Sequence, residues 1–325
     1  MGVATLNFWG QGVPCVERLH MMKTLWSRPS ADMPKSEALV RVTVAYMLAC
    51  FAGGIVLAVS EAAPLWRALW ADLVATVVIF VIGRWHRNSS FYDPFWTVIP
   101  PLLMLWWMTQ GDSPSLLREF LVLALILYWA TRLTTHWAYY WPGLHHEDWR
   151  YPMLRSKAGP WAMMVDLFGI HVFPTVQVFL GMLPVYALTV LATQPFNALD
   201  IIAGLVTFAA VTLQMASDFQ LHAFAAQAKP GDILESGLWS RCRHPNYLGE
   251  IGLWVGLALF GLAAYPAGAL WVGVGALAMI LMFRYASIPM MEERSLARRP
   301  AYAETMARVP MLIPRMVPRR DAAGD

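Results

Sequence analysis

Apolar residues run along this chain in eight long stretches, at about 39–60, 66–83, 94–109, 116–138, 162–191, 198–220, 248–264 and 268–288. A hydrocarbon core about 30 Å thick needs roughly 20 apolar residues in a helix. The pattern therefore predicts an all-α, polytopic membrane helix bundle of about 7–8 spans. The stretch at 94–109 is short and carries Pro100 and Pro101. It is expected to bend or to cross only part of the bilayer, with neighbours satisfying its freed backbone groups. The last two stretches, joined at Ala264, Tyr265 and Pro266, read as a helical hairpin. No strand pattern occurs and no Gly-x-Gly-x-x-Gly follows one, which excludes a Rossmann domain. Residues 1–38 read as a loosely ordered cytosolic segment, 39–314 as the bundle and 315–325 as a flexible tail.

Composition supports the membrane class. Hydrophobic residues make up 58% of the 325 and charged ones only 14%, against about 25% charged in a soluble domain. Sixteen tryptophans and eleven tyrosines suit a chain with many membrane–water boundaries. The net charge of +3 comes without a long basic run, so nucleic acid is not an expected partner. Cys15, Cys50 and Cys242 show no Cys-x-x-Cys or metal spacing and read as ordinary thiols. With the N-terminus inside, 21 of the 24 lysines and arginines lie on the inner side or at its edge. Arg67 and Arg118 fall outside and Arg132 lies within a span. Inner loops collect cations, so both termini and every polar cluster below are expected on the cytosolic face, in a bacterial inner membrane.

The cofactor motifs fall within 84–151 and 214–314, with Arg155 and Lys157 just past the first. Asp93, between Tyr92 and Pro94, is either a helix cap or an acid at a membrane-edge cavity. Trp129, Arg132 and His136 share one helix face. Arg132 costs about 2.5–3.5 kcal/mol in a span, so it must find a partner inside the bundle or snorkel to headgroups. His145 and His146 are adjacent and lack further ligands at metal spacing, so no metal site is expected. Arg150, Arg155 and Lys157 suit phosphate or a solvated loop. Gln214, Asp218 and His222 form one polar stripe on an apolar helix, for ligand binding or for ion pairing with Arg132.

The densest stretch is Gly237–Glu250, GLWSRCRHPNYLGE. Pro245 suits the first position of a helix, whose free amides form a place for anions. Arg241 and Arg243 would add charge-assisted bonds to phosphate. Asn246 and Glu250 stand one turn apart, as a pair able to hold a carboxamide or an adenine edge, and Tyr247 and Trp239 could stack on a ring. The plainer alternative is an interfacial anchor. The arginine-rich tail from Ser287 onward either lies on the cytosolic face or closes over a nucleotide.

Six ordered motifs carry a family resemblance: YDPFW from Tyr92, W-x-x-R-L-T-x-H-W from Trp129, ED-x-R-Y from Glu147, D-x-Q-x-x-x-F from Asp218, GLW-x-x-x-RHPNYLGE from Gly237, and R-x-P-x-Y from Arg298. From about residue 70 to 314 the chain resembles the DUF1295 family. That family is related to the C-terminal domain of the steroid 5-alpha-reductases. RHPNYLGE by itself is also similar to isoprenylcysteine carboxyl methyltransferases, so S-adenosylmethionine-dependent lipid methylation stands as the alternative activity. The reductase resemblance implies NADPH bound from the cytosol, a lipophilic enone entering from membrane lipid, and hydride transfer to its conjugated C=C. It implies catalytic roles for Asp93, Tyr92 and Trp129. Arg132, Arg150, Asp218, Arg241, Arg243, His244, Asn246, Tyr247 and Glu250 would stand on the cofactor side. Trp129 replaces a carbonyl-binding tyrosine of the reductases, so Tyr92 or Tyr128 would have to supply the phenol.

Overall fold

The computed structural model describes residues 33–314, all helices and loops with no strand among them. Apart from short 3-10 turns in the loops, ten helices follow in order: α1 Lys35–Val59, α2 Pro64–His86, α3 Phe95–Trp107, α4 Leu116–Tyr140, α5 Arg150–Gly181, α6 Leu183–Val190, α7 Ala198–Ala225, α8 Pro245–Ala264, α9 Val274–Arg298 and α10 Tyr302–Arg308. Six of them, α1, α2, α5, α7, α8 and α9, are long and apolar enough to cross a membrane. The chain is a multi-pass membrane protein. At 13 residues, α3 is about 20 Å long, too short to span, as its prolines implied. The expected 1–38 segment is described only from residue 33, where α1 already begins at Lys35; residues 1–32 and 315–325 lie outside the described residues.

Two expected stretches are redrawn. The run at 162–191 is not one helix: α5 ends at Gly181, and Pro184 sits in the first turn of α6. The last span does not stop at 288 but continues through Arg298 as α9. Both α5 and α9 contain a π-helical segment, at Val165–Val172 and Phe283–Ser287.

The centre of the bundle is the α7–α8 pair, with α6 also packed on α8, where Gly261 approaches Pro184. Small residues make the α7–α8 contact close: a Cβ at Gly256 would fall 2.0 Å from Thr207 Oγ1, and one at Gly249 2.6 Å from the Ala210 carbonyl oxygen. This approach sets Gln214 of α7 against the first turns of α8. Around it α1 pairs with α2 and α3 with α4.

One end of the bundle gathers the polar loops and is called the polar rim below. The C-terminal ends of α2, α4 and α7 and the N-terminal ends of α5 and α8 meet there. After α2, Arg87 adopts a left-handed backbone (φ 55°) and turns the chain back inward. Residues 88–92 are consequently buried. This re-entrant loop is fastened to residues 144–148: Asn88 Nδ2 donates to the carbonyls of Leu144 (2.8 Å) and His146 (2.9 Å), and the Ser89 amide donates to Glu147 (2.7 Å).

Candidate functional site

Two groups of side chains form the site at the polar rim. The first lies between α4, α7 and α8. Arg132 donates to Asp218 at 2.7 Å and to Gln214 Oε1. The pair is mostly buried, with side-chain exposures of 8% and 16%, so Arg132 does not snorkel. Gln214 in turn donates to Glu250 Oε2 at 2.9 Å. Asn246 Nδ2 approaches Asp218 Oδ1 at 3.4 Å, while its oxygen accepts from the Tyr247 amide at 3.0 Å. Beyond Asp218, His136 and His222 face each other at 2.7 Å, and Tyr140 stacks on His222.

Glu250 departs from its expected place beside Asn246 as a ligand clamp. Its two oxygens take three donors of the chain itself: Trp129 Nε1 (3.1 Å), Trp254 Nε1 (3.0 Å) and Gln214. The same bond removes Trp129 from a carbonyl-binding role. Its indole is 1% exposed, its N–H is engaged by Glu250, and Trp96 and Trp254 pack edge-on against it. Both residues hold the core of the site in shape.

The second group surrounds Asp93. No side chain caps α3, so the helix-cap reading of Asp93 is not realised. Its carboxylate instead accepts a hydrogen bond from Tyr151 Oη of α5. Burial pushes the Asp93 carboxyl up to about 6, against the opposing pull of the Tyr151 bond. Asp148 and Arg150 stand close enough to act on it electrostatically, and pair with each other at 2.8 Å. Burial would raise Asp148 as well, but the hydrogen bonds and charge of Arg150 outweigh it and leave the carboxyl lowered. Tyr247 links the two groups: it lies within electrostatic reach of Arg150, Asp148 and Asp218 and packs flat against His244. Tyr92 is turned away from Asp93, 2% exposed, with its hydroxyl on Thr175 at 2.8 Å.

The raised Asp93 carboxyl has a consequence for stability. An acid whose folded value lies above its unfolded one keeps its proton longer in the native state, so stability falls as pH rises through that window. Between about pH 4 and about pH 6 the native chain should lose stability relative to Asp93→Asn, and above that window the difference should be constant. Thermal unfolding of both across that range checks this; parallel curves would contradict it.

The start of α8 is held from the tail side. Arg243 and His244 both bond Glu292 of α9, at 2.7 and 2.9 Å. The amides of Arg243 and His244 donate to the carbonyls of Pro310 and Met311 at 2.9 and 3.2 Å. Arg243, only 8% exposed, is thus a fastener of the tail and not an open phosphate contact. Trp239 donates to the Ser217 carbonyl at 3.0 Å. Arg294 lies over the Trp149 ring at 3.8 Å, which draws α9 over the loop before α5. Arg241 is exposed, and no described residue pairs with it.

Arg155 and Asp166 were not expected where they are. Asp166, fully buried, accepts from Ser89 Oγ (2.7 Å) and Arg84 (3.2 Å), with Arg155 at 3.6 Å. Arg155 also pairs with Glu147. These contacts lock the re-entrant loop and remove Arg155 from phosphate binding. Among the described residues, no three His, Cys, Asp or Glu side chains converge as a metal site. A cavity of about 470 Å³ lined by Gln220, Phe224, Gln227 and Asp232 opens beyond the end of α7, and none of the site residues above lines it.

Fold and site together define a polytopic helical membrane protein with a buried ion-pair network at one rim. The family model described as a protein of unknown function, DUF1295, matches residues 79–309, and the chain belongs to that family. It is also similar to an uncharacterized protein of Schizosaccharomyces pombe, 25% identical over 265 residues, which are 74% of this chain and 76% of that one. No solved structure matches.

Proposed function

We propose that the chain is a membrane-embedded reductase that transfers hydride from NADPH to a conjugated C=C of a lipophilic enone, with its polar rim in the cytosol. The observation that carries this reading is the Asp93–Tyr151 pair. Its carboxyl, pushed up to about 6 by burial, can hold a proton close to neutral pH. Its partner is a phenol, which suits a carbonyl oxygen of substrate. Reduction of an enone requires such an acid where negative charge develops. Tyr151 thereby supplies the phenol that Trp129 lacks.

NADPH, when bound, supplies the hydride; the chain supplies its binding and the proton. The residues present fit a phosphate-bearing dinucleotide. Arg132 Nε is buried without an acceptor, Arg241 is unpaired at the rim, and Arg150 is exposed beside Tyr247. Arginine is suited to bidentate phosphate contacts. Asp218 and Asn246 stand ready to hold a ribose hydroxyl or a carboxamide. The cation distribution, denser on the loops of this end, supports the cytosolic orientation.

Calorimetry on purified protein, with NADPH and S-adenosylmethionine as separate titrants, tests the reading. NADPH should bind, and Asn246→Ala should weaken it about tenfold through the loss of one hydrogen bond to the ligand. Binding of S-adenosylmethionine without NADPH would replace the reductase reading by the methyltransferase one.

A further inference from the structure

The head-on meeting of His136 and His222 plays no part in the chemistry proposed above. His136 stands near the end of α4 and His222 near the end of α7, 86 residues later in the chain. Their Nε2 atoms are 2.7 Å apart. Each ring is held in place by its surroundings. Tyr140, one turn after His136, lies flat on the His222 ring, with 3.6 Å between centroids and 5° between planes. It also packs against His136 itself, at 4.9 Å between centroids. Asp218, one turn before His222, places Oδ2 3.6 Å from His136 Nδ1.

Two neutral imidazoles that meet by Nε2 can share one proton or one metal ion. Three features favour a metal. Asp218 stands behind His136, and a carboxylate near Nδ1 favours the tautomer that keeps its proton there and leaves the Nε2 lone pair free for an ion. The Tyr140 stack fixes the His222 ring, so both donors are oriented in advance. The pair is also reachable from the rim: 27% of the His136 side chain is exposed and His222 is half-buried, so water can fill the remaining coordination positions. The charge of Arg132 acts on His136 too, but Arg132 is itself paired with Asp218. An ion about 2.0–2.1 Å from each nitrogen, at a tetrahedral angle, would set the two nitrogens about 3.3 Å apart, a small turn of two partly exposed rings. Imidazole donors suit zinc, copper or nickel, whereas magnesium and calcium take oxygen ligands.

We propose that His136 and His222 bind one transition-metal ion of the zinc and copper class and thereby staple α4 to α7 beside the Arg132–Asp218 pair. The ion takes two protein ligands and water, in keeping with the absence of three converging His, Cys, Asp or Glu side chains among the described residues. Coordination uses the two Nε2 lone pairs, with the proton of each ring on Nδ1, and nothing is oxidised or reduced. The adjacent His145 and His146, which raise the metal question in the sequence, lie on the loop before α5. His136 and His222 come from separate helices, so no short spacing announces them. The site does not rest on the reductase reading.

The test uses the full chain without a histidine tag, stripped by a chelator and titrated with Zn2+ by calorimetry and with Cu2+ by electron paramagnetic resonance. The parent chain should bind one ion at this site, and its Cu2+ spectrum should show coupling to two imidazole nitrogens. His136→Ala and His222→Ala should each weaken binding at least about tenfold, the factor that loss of even a supporting partner costs a metal site, and leave one coupled nitrogen. His136→Gln keeps a hydrogen-bonding partner for His222, so it preserves a purely structural contact and should still lose the metal. Zn2+ should raise the unfolding temperature of the parent chain but not that of His136→Gln. Replacing His145 and His146 by alanine should change neither affinity nor spectrum. Absence of binding to the parent chain, equal binding in His136→Gln, or a parent spectrum with fewer than two imidazole nitrogens would overturn the site and leave the pair a shared proton. No nucleotide is present in these titrations, so failure here is distinct from failure to bind NADPH.

Discussion

Arg118→Ala is expected to produce the largest loss of stability of any single substitution considered, about 3–5 kcal/mol, at the end of the bundle opposite the site. Arg118 and Asp200 are both fully buried. The guanidinium makes a fork on the carboxylate, Nε to Oδ1 at 2.7 Å and Nη2 to Oδ2 at 2.8 Å. Its remaining donors reach the carbonyls of Gln194 and Pro195, each at 2.8 Å. Asp200 also accepts the Asn197 amide at 2.8 Å and so closes the capping box of α7. Removing the arginine strands a carboxylate and two carbonyls away from water, and a buried charge without its partner is far costlier than the pair is favourable. Set against a total stability of about 5–15 kcal/mol, this brings the chain close to unfolding. The double variant Arg118→Met with Asp200→Leu should recover most of the loss, less about 1 kcal/mol for the missing cap. Denaturant titration in mild detergent measures both. A single variant within about 1 kcal/mol of the parent chain would mean that the pair is solvated and not buried.

That clamp and the site differ in how far each could be read in advance. Six of the eight apolar runs marked helices able to span, because length and hydropathy decide that, while those at 94–109 and 116–138 did not. Arg132 was legible from its surroundings: a cation in an apolar helix must find a partner, and Asp218 was the acid that met it. Glu250 was misread as a ligand clamp. Its environment consists of Trp129, Trp254 and Gln214, three donors brought from separate helices, and only the close α7–α8 approach at Gly249 and Gly256 decides that they meet. Asp93 was foreseen as a site residue, but its Tyr151 partner depends on the loop turning inward at Arg87, a backbone choice with no glycine to announce it. Asp166 and His171 were hidden within an apolar stretch. Their five-residue spacing belongs to a π-helical turn, which a search at the α-helical period passes over.

The internal role of Glu250 separates two outcomes that would otherwise look alike. Glu250→Ala leaves the Trp129 and Trp254 indoles and the Gln214 amide without an acceptor in a site that is 7% exposed. Each stranded donor costs about 1–3 kcal/mol, and the losses within one network do not simply add. The expected result is a loss of several kcal/mol, together with failure of ligand binding, because Gln214 also accepts from Arg132 and Arg132 orients Asp218. Glu250→Gln is the informative variant. Its single carbonyl oxygen can serve Trp129 and Gln214, whose bonds converge on one oxygen of the native carboxylate. Its amide would then face the Trp254 N–H, donor against donor, at an expected cost of about 1–3 kcal/mol. Adding Trp254→Phe removes that conflict and should return stability and, under the proposed reductase function, NADPH affinity towards the parent values. A ligand-contacting Glu250 would behave otherwise: Glu250→Gln would lose affinity while keeping its stability, and Trp254→Phe would bring nothing back. Unfolding and calorimetry on the three variants decide between scaffold and contact.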